Sequence, residues 1–185
     1  MGRDEAEAVA GRLIDRFGSL GDVVRGDRAA FSRIGELAAW ELIAPVDRAI
    51  GHLAVSDMRR GPIFERWAQV AAHLRLLSAM EPVEHFRALF LDCNDRLIAD
   101  TFKVRGSVDH CPVCVRALIG AALNSGCVAM VLVHNHPSGD PTISAPDLDL
   151  TKRVVAAARP LGITVHDHLI VARGGITSFR DRGLL

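Results

Sequence analysis

Seven apolar residues in a row, Cys127-Val-Ala-Met-Val-Leu-Val133, run directly into His134-Asn-His136. A half-solvated strand alternates apolar and polar positions, so a near-continuous apolar run of strand length fits a strand covered on both faces. Such a strand sits at the centre of a sheet, and the segments on either side of it in sequence read as helices. "VCVRALIGAALNSG" (113–126) has helical spacing and ends at Gly126, a C-cap candidate, while "DLDLTKRVVAAARPLG" (147–162) reads as a helix stopped by Pro160 and Gly162. "EHFRALFLD" (84–92) alternates roughly as a strand does, "CNDR" reads as a turn, and "LIADTFKVRGS" (97–107) as the return strand of a hairpin. "ITVHDHLIVARGGITSFRD" (163–181) reads as a strand, a Gly-Gly turn and a second strand. Helices and strands interleaved on one sheet place the chain in the α/β (α+β) class.

Before residue 80 the texture is different. "EAEAVAGRLIDRF", "RAAFSRIGELAAWELIAPVDRAIGHLAV" and "GPIFERWAQVAAHLRLL" space their apolar residues three and four apart, which predicts a set of short helices punctuated by Gly35, Pro45, Gly61 and Pro62. The expected organisation is a small helical domain over 1–72 and a mixed sheet domain over 73–185. No apolar run approaches the ~18 residues that span a bilayer. The N-terminus carries acids where a secretory signal needs a basic start and an apolar stretch, and "MGRDEA" lacks the Ser or Thr of a myristoylation signal. The expectation is a cytoplasmic protein with reduced thiols and no membrane partner. Twenty-two basic and 22 acidic residues cancel, so charge gives no global pull toward nucleic acid.

The chemistry concentrates in "HNHPSGDPTISAPD" (134–147). Strand side chains alternate with period two, so His134 and His136 point the same way and can chelate one ion. A Pro/Gly loop folds the chain back tightly and brings Asp147 toward them at a helix start. Two His and one Asp leave a fourth tetrahedral position for water, as in a catalytic zinc site. A water-activating site also wants a carboxylate that takes the proton. Glu84, at the head of the first strand, fills that role if its strand neighbours the apolar one, and Ser144, three before Asp147, can face a developing oxyanion.

Glu84, His134-x-His136-Pro137 and Ser144-x-x-Asp147 together resemble the JAMM metal-binding motif of the MPN/JAB metalloprotease family. "HNHPSGDPTISAPD" with "HDHLIVARGGITSFRDRGLL" is similar to its RadC-like branch, closely over residues 81–185. The resemblance implies a cytidine-deaminase-like MPN/JAB fold, a mixed sheet flanked by helices. It implies zinc held by His134, His136 and Asp147, Glu84 as general acid/base and Ser144 as stabiliser of the tetrahedral intermediate, in hydrolysis of a peptide or isopeptide amide of a protein or peptide substrate. Two departures bear on substrate preference: Val115-Arg116-Ala117 stands where the branch usually has Pro-Arg-Glu, and Ile143-Ser144 where it has Pro-Ser. The N-terminal "RFGSLGDVV" and "FSRIGELAAWEL" resemble the branch's helix-hairpin-helix region. The hairpin Ile34-Gly35-Glu36-Leu37 has lost one glycine and gained an acid, and residues 1–80 balance 11 basic against 11 acidic side chains; weak DNA binding or none is expected.

Blander readings stay open at several positions. His134 and His136 can be strand-end histidines capped by loop carbonyls. Ser144-x-x-Asp147 is also a capping-box pattern, and Glu81 competes with Glu84 as base. Cys111-Pro-Val-Cys114 lacks a second CxxC to complete a closed zinc site, which leaves a redox pair or plain turn cysteines. His166-Asp-His168 repeats the same-face logic and is read as structural, with a hydrogen bond to the sheet or toward the site. The tripeptide His134-Asn135-His136 spells the name of the HNH nucleases by coincidence. The rival functional class is a DNA repair or recombination factor whose metal site is structural or acts on nucleic acid; a third is an inactive scaffold.

Overall fold

The structure, a computed structural model, describes residues 2–58, 61–65, 67–78, 83–106 and 112–185. They fall into two compact units, residues 1–54 and 55–185. The first is helical: α1 (Arg3–Phe17), α2 (Leu20–Arg25), α3 (Arg28–Arg33) and most of α4 (Leu37–Met58). Ser19 and Asp27 cap α2 and α3 by accepting from the backbone N–H of Asp22 and Ala30, which satisfies donors that a helix start leaves free. Val9, Leu13, Val23, Phe31 and Ala39 form the core of this unit. Pro45 does not end a helix as expected; α4 runs through it. Pro45 is exposed, so the carbonyl of Glu41, which loses its intrahelical donor, can turn to water. In the hairpin before α4, Glu36 is held by Arg12 at 2.6 Å.

The second unit is a five-stranded mixed sheet in the order β2-β1-β3-β4-β5, with β1 (His85–Leu91), β2 (Leu97–Arg105), β3 (Ala129–Asn135), β4 (Thr164–Ala172) and β5 (Gly175–Ser178). β3 is central and every one of its residues is buried. It pairs antiparallel with β1 and parallel with β4. Helices α6 (Val115–Ser125) and α7 (Ala145–Ala158) cover one face, where Leu118, Ala122, Val154 and Ala158 pack on Phe86, Phe90, Met130 and Leu132. Helix α5 (Trp67–Ser78) covers the other, with Val70 and Leu74 against Leu89, Val131, Val133 and Leu169. Both faces of β3 are therefore dry, as its unbroken apolar run requires.

Three expectations shift. The boundary placed at 72/73 falls inside α5, whose Val70 and Leu74 belong to the core under the sheet, so the units divide between 54 and 55. The helix expected from Gly61 begins only at Trp67; before it, Pro62 bridges to Arg96 and the Ile63 N–H goes to the Asp95 carbonyl at 2.9 Å instead of into a helix. Helix α7 starts at Ala145, two residues early, and a 3-10 turn takes its last expected residues. The Gly126 C-cap is confirmed, in the left-handed region that glycine adopts without strain. Among the described residues no helix is long and apolar enough to cross a membrane.

Candidate metal centre

The site forms at the carboxyl end of β3, where strands of α/β sheets present their ligand-binding loops. Phe86 of β1 pairs with His134 of β3; extending that antiparallel register two residues brings Glu84 opposite His136. The Glu84 carbonyl accepts from Gly106 at 2.8 Å, which continues the sheet ladder to that point. His134 and His136 lie on one side, with ring centroids 5.1 Å apart. Asn135 points to the other, where its Oδ1 accepts from the His85 N–H at 2.5 Å and its Nδ2 donates to the Val83 carbonyl at 3.1 Å. Those two bonds clamp the residues on either side of Glu84. The sequence reading missed this role, although the signal was present: an Asn in a wholly buried strand must find partners, and alternation turns it away from the histidines.

Asp147 and Ser144 meet in a capping box at the start of α7. Ser144 Oγ accepts from the Asp147 N–H at 3.3 Å, and Asp147 Oδ2 accepts from the Ser144 N–H at 2.9 Å. The Ser144 hydroxyl donates to the same carboxylate oxygen at 2.5 Å, so at rest its proton faces Asp147. The other oxygen, Oδ1, lies 2.8 Å from His134 Nδ1. Since a carboxylate accepts, His134 Nδ1 carries the proton and Nε2 holds a lone pair. His136 is fixed the same way, because its Nδ1 is 3.1 Å from the Asp140 carbonyl, which can only accept. The loop that supplies this carbonyl is tied down at Gly174, whose N–H donates to the Gly139 carbonyl at 3.0 Å; a Cβ there would come within 2.8 Å of that oxygen.

Both imidazoles thus aim Nε2 inward, and each meets a carboxylate. His134 Nε2 is 3.4 Å from Glu84 Oε2 and His136 Nε2 is 3.4 Å from Asp147 Oδ2. His134 Nε2 is buried without a hydrogen-bond partner. Two inward lone pairs among two carboxylates form a donor set that fits a divalent cation. Glu84, His134 and His136 each offer a ligand atom, and the three atoms lie within 4.8 Å of one another. Burial pushes the Asp147 carboxyl upward, but hydrogen bonds from His134 and Ser144, with the His136 ring close by, outweigh it and hold the group well below the usual carboxylate range. His136 is raised, first by the Asp147 carboxylate that would receive a proton placed on its Nε2, 3.4 Å away.

The cluster opens into a cavity of about 510 Å³ lined by Glu84, His134, His136, Ser144 and Asp147, with Val113 and Leu150 as apolar wall and Asp149 and Arg153 also lining it. All five candidate residues are brought together. The altered tripeptide Val115-Arg116-Ala117 opens α6 beside this cavity. Cys114, a free exposed thiol, lines the cavity without joining the ligand group; its expected companion Cys111, like Glu81, lies outside the described residues. His166 is not part of the cluster and bonds Asp95 at 2.9 Å.

A mixed sheet with helices on both faces and a two-histidine, two-carboxylate cluster at the end of its central strand defines an α/β domain built around a candidate metal site. The profile of the RadC-like JAB domain matches residues 64–184, and the chain belongs to that family. It is also similar to a UPF0758 protein of Rhodobacter capsulatus, 40% identical over 186 residues that cover 99% of this chain and 86% of that protein.

Proposed function

We propose that the protein is a zinc-dependent hydrolase that cleaves a peptide or isopeptide amide bond of a protein or peptide substrate in the cytoplasm. The observation that carries this reading is the buried, unpartnered His134 Nε2, set 3.4 Å from Glu84 in a cavity. An interior nitrogen lone pair without a donor is costly unless something binds it. His134 and His136 would hold the ion together with one carboxylate. Geometry alone groups Glu84 with them, yet Asp147 is the better third ligand. It is kept ionised and fixed by its hydrogen bonds, whereas Glu84, 14% exposed, borders the cavity and is the carboxylate free to exchange a proton with substrate.

A zinc ion bound there supplies Lewis acidity and brings a water toward a pKa of about 7. Glu84 takes a proton from the water that attacks the amide carbonyl and returns it to the departing amine nitrogen. Ser144 holds Asp147 at rest, and when substrate enters its hydroxyl turns to the oxygen on which charge develops. The test is Glu84→Gln beside Asp147→Asn. The first should keep its zinc and lose hydrolysis by about 10²- to 10⁴-fold, read on peptide and isopeptide substrates; the second should lose zinc. Loss of zinc from Glu84→Gln with zinc retained in Asp147→Asn would exchange the two roles.

A further inference from the structure

We infer that Thr151 and His168 are positioning residues of the metal centre, acting through the peptide and side chain of Asp147; the inference rests on the metal-site reading above. Thr151 lies one turn after Asp147 on α7, and its Oγ1 is 2.6 Å from the Asp147 carbonyl and 2.7 Å from His168 Nδ1. A hydroxyl has one proton, and a carbonyl can only accept. The Thr151 O–H therefore goes to Asp147, and His168 Nδ1 must carry a proton and donate it to Thr151 Oγ1. Both side chains are buried, Thr151 at 2% and His168 at 0% exposure, so neither bond competes with water.

The tautomer follows. His168 Nε2 holds a lone pair, and it is buried with no hydrogen-bond partner. The ring is kept in place by packing instead: it stacks on Phe179 at 4.7 Å, meets the edge of Phe86 at 6.0 Å and lies nearly parallel to the His134 ring, 6.4 Å away and tilted by 12°. A single path of contacts thus runs from β4 through His168 and Thr151 to the Asp147 carbonyl, and from the Asp147 carboxylate to His134 Nδ1.

Thr151 bonding back to the residue four before it sets the tilt of the first turn of α7. That turn aims the carboxylate which orients one imidazole and faces the other. The capping box fixes the same carboxylate from the Ser144 side, so Asp147 is held from both ends of its residue. Groups that orient metal ligands in this way tune affinity without touching the ion.

The test is competition for Zn²⁺ against a chromophoric chelator with the full chain, comparing the parent, Thr151→Val and Thr151→Ser. Valine keeps the shape and deletes the hydroxyl; serine restores it. Thr151→Val should bind zinc at least about tenfold more weakly, and Thr151→Ser should return to within about threefold of the parent. A general packing defect would lower the melting temperature of the metal-free chain, yet serine, which lacks the methyl group, would not restore affinity. Zinc binding by Thr151→Val within about threefold of the parent overturns the inference, and so does a loss that serine fails to recover. A second measurement needs no variant: ¹⁵N NMR of the parent should find His168 protonated at Nδ1 and bare at Nε2, and the reverse tautomer overturns the inference even if a variant fails to fold. A parent that takes up no zinc defeats the metal-site reading itself, a result distinct from a parent that binds and a Thr151→Val that binds equally well.

Discussion

The chain contains two His-x-His pairs on neighbouring parallel strands, and only one of them converges. At the end of β3 the backbone is regular, so His134 and His136 fall on one side and their rings come within 5.1 Å. On β4 the register against β3 slips between Met130 and Val131, whose partners are Val165 and Asp167. His166 is the extra residue of that bulge. One inserted residue breaks the period-two rule on which the same-face argument depends. The two imidazoles separate: His166 turns to Asp95 and the edge of Phe64, while His168 turns into the core to Thr151. A spacing of two is therefore a metal-ligand signal only where the strand is flat, and surrounding bonds decide the outcome: the convergent pair ends between two carboxylates at one cavity, whereas the split pair sends one ring to the carboxylate of Asp95 and the other to a buried hydroxyl.

The comparison breaks most sharply under paired substitution. Replacing His134 and His136 together by Ala should leave no zinc by elemental analysis of protein purified without added metal, against about one per chain in the parent, because two of three protein ligands of a tetrahedral site are gone. The same analysis on a His166→Ala chain should find zinc unchanged. Metal lost from His166→Ala, or retained by the double variant, would sink the assignment of the two pairs.

Much of this division was legible in the sequence because it depends on local pattern. The apolar run 127–133 required a strand buried on both faces, and β3 is that strand. The spacing of Glu84, His134, His136, Ser144 and Asp147 placed five residues that the fold brings to one cavity. The bulge at His166 was not legible, since nothing in "ITVHDHLIVA" marks which residue is extra; the pairing with β3 decides it. Thr151 was hidden for a similar reason. A threonine mid-helix has no local signature, and its partner His168 is 17 residues away on another strand. Pro45 was misread because propensity says where a helix should stop, while an exposed carbonyl can do without its donor.

The buried half of the split pair gives the second test. Burial lowers His168 to about 3, with the neighbouring His134 and His136 rings adding to the effect and Asp147 opposing it. A histidine depressed in the fold takes up its proton in the unfolded chain first, so its contribution to stability is present above about 6.5, the unfolded value, and is lost as pH falls toward the folded one. In the metal-free chain stability should drop by up to about 1.4 kcal/mol per pH unit below pH ~6.5. His136, shifted the other way, loses its contribution only as pH rises above that value, and Asp147 acts below the ordinary carboxylate range. Urea unfolding between pH ~6.5 and ~4.5 therefore reads His168 with little interference. His168→Asn, which cannot be protonated there, should flatten this limb; an equal slope in both chains would show that another group carries it.

The exposed half should matter least. His166 and Asp95 are joined at 2.9 Å, but their side chains are 26% and 41% exposed, so solvent screens the pair and a contribution of about 0–1 kcal/mol is expected. Asp95 has other work: at φ +56° it turns the β1–β2 connection, its carbonyl takes the Ile63 N–H, and its own N–H goes to the Asp92 carbonyl. Those bonds are backbone bonds and survive removal of the imidazole. His166→Ala should then shift the melting temperature by no more than about 4 °C and leave zinc affinity unchanged in the chelator titration. A larger loss would mean that the bulge itself depends on the imidazole at its crest. In that case the register of β4, and with it the inward aim of His168, would be set by the His166–Asp95 contact, and the two halves of the pair would fail together.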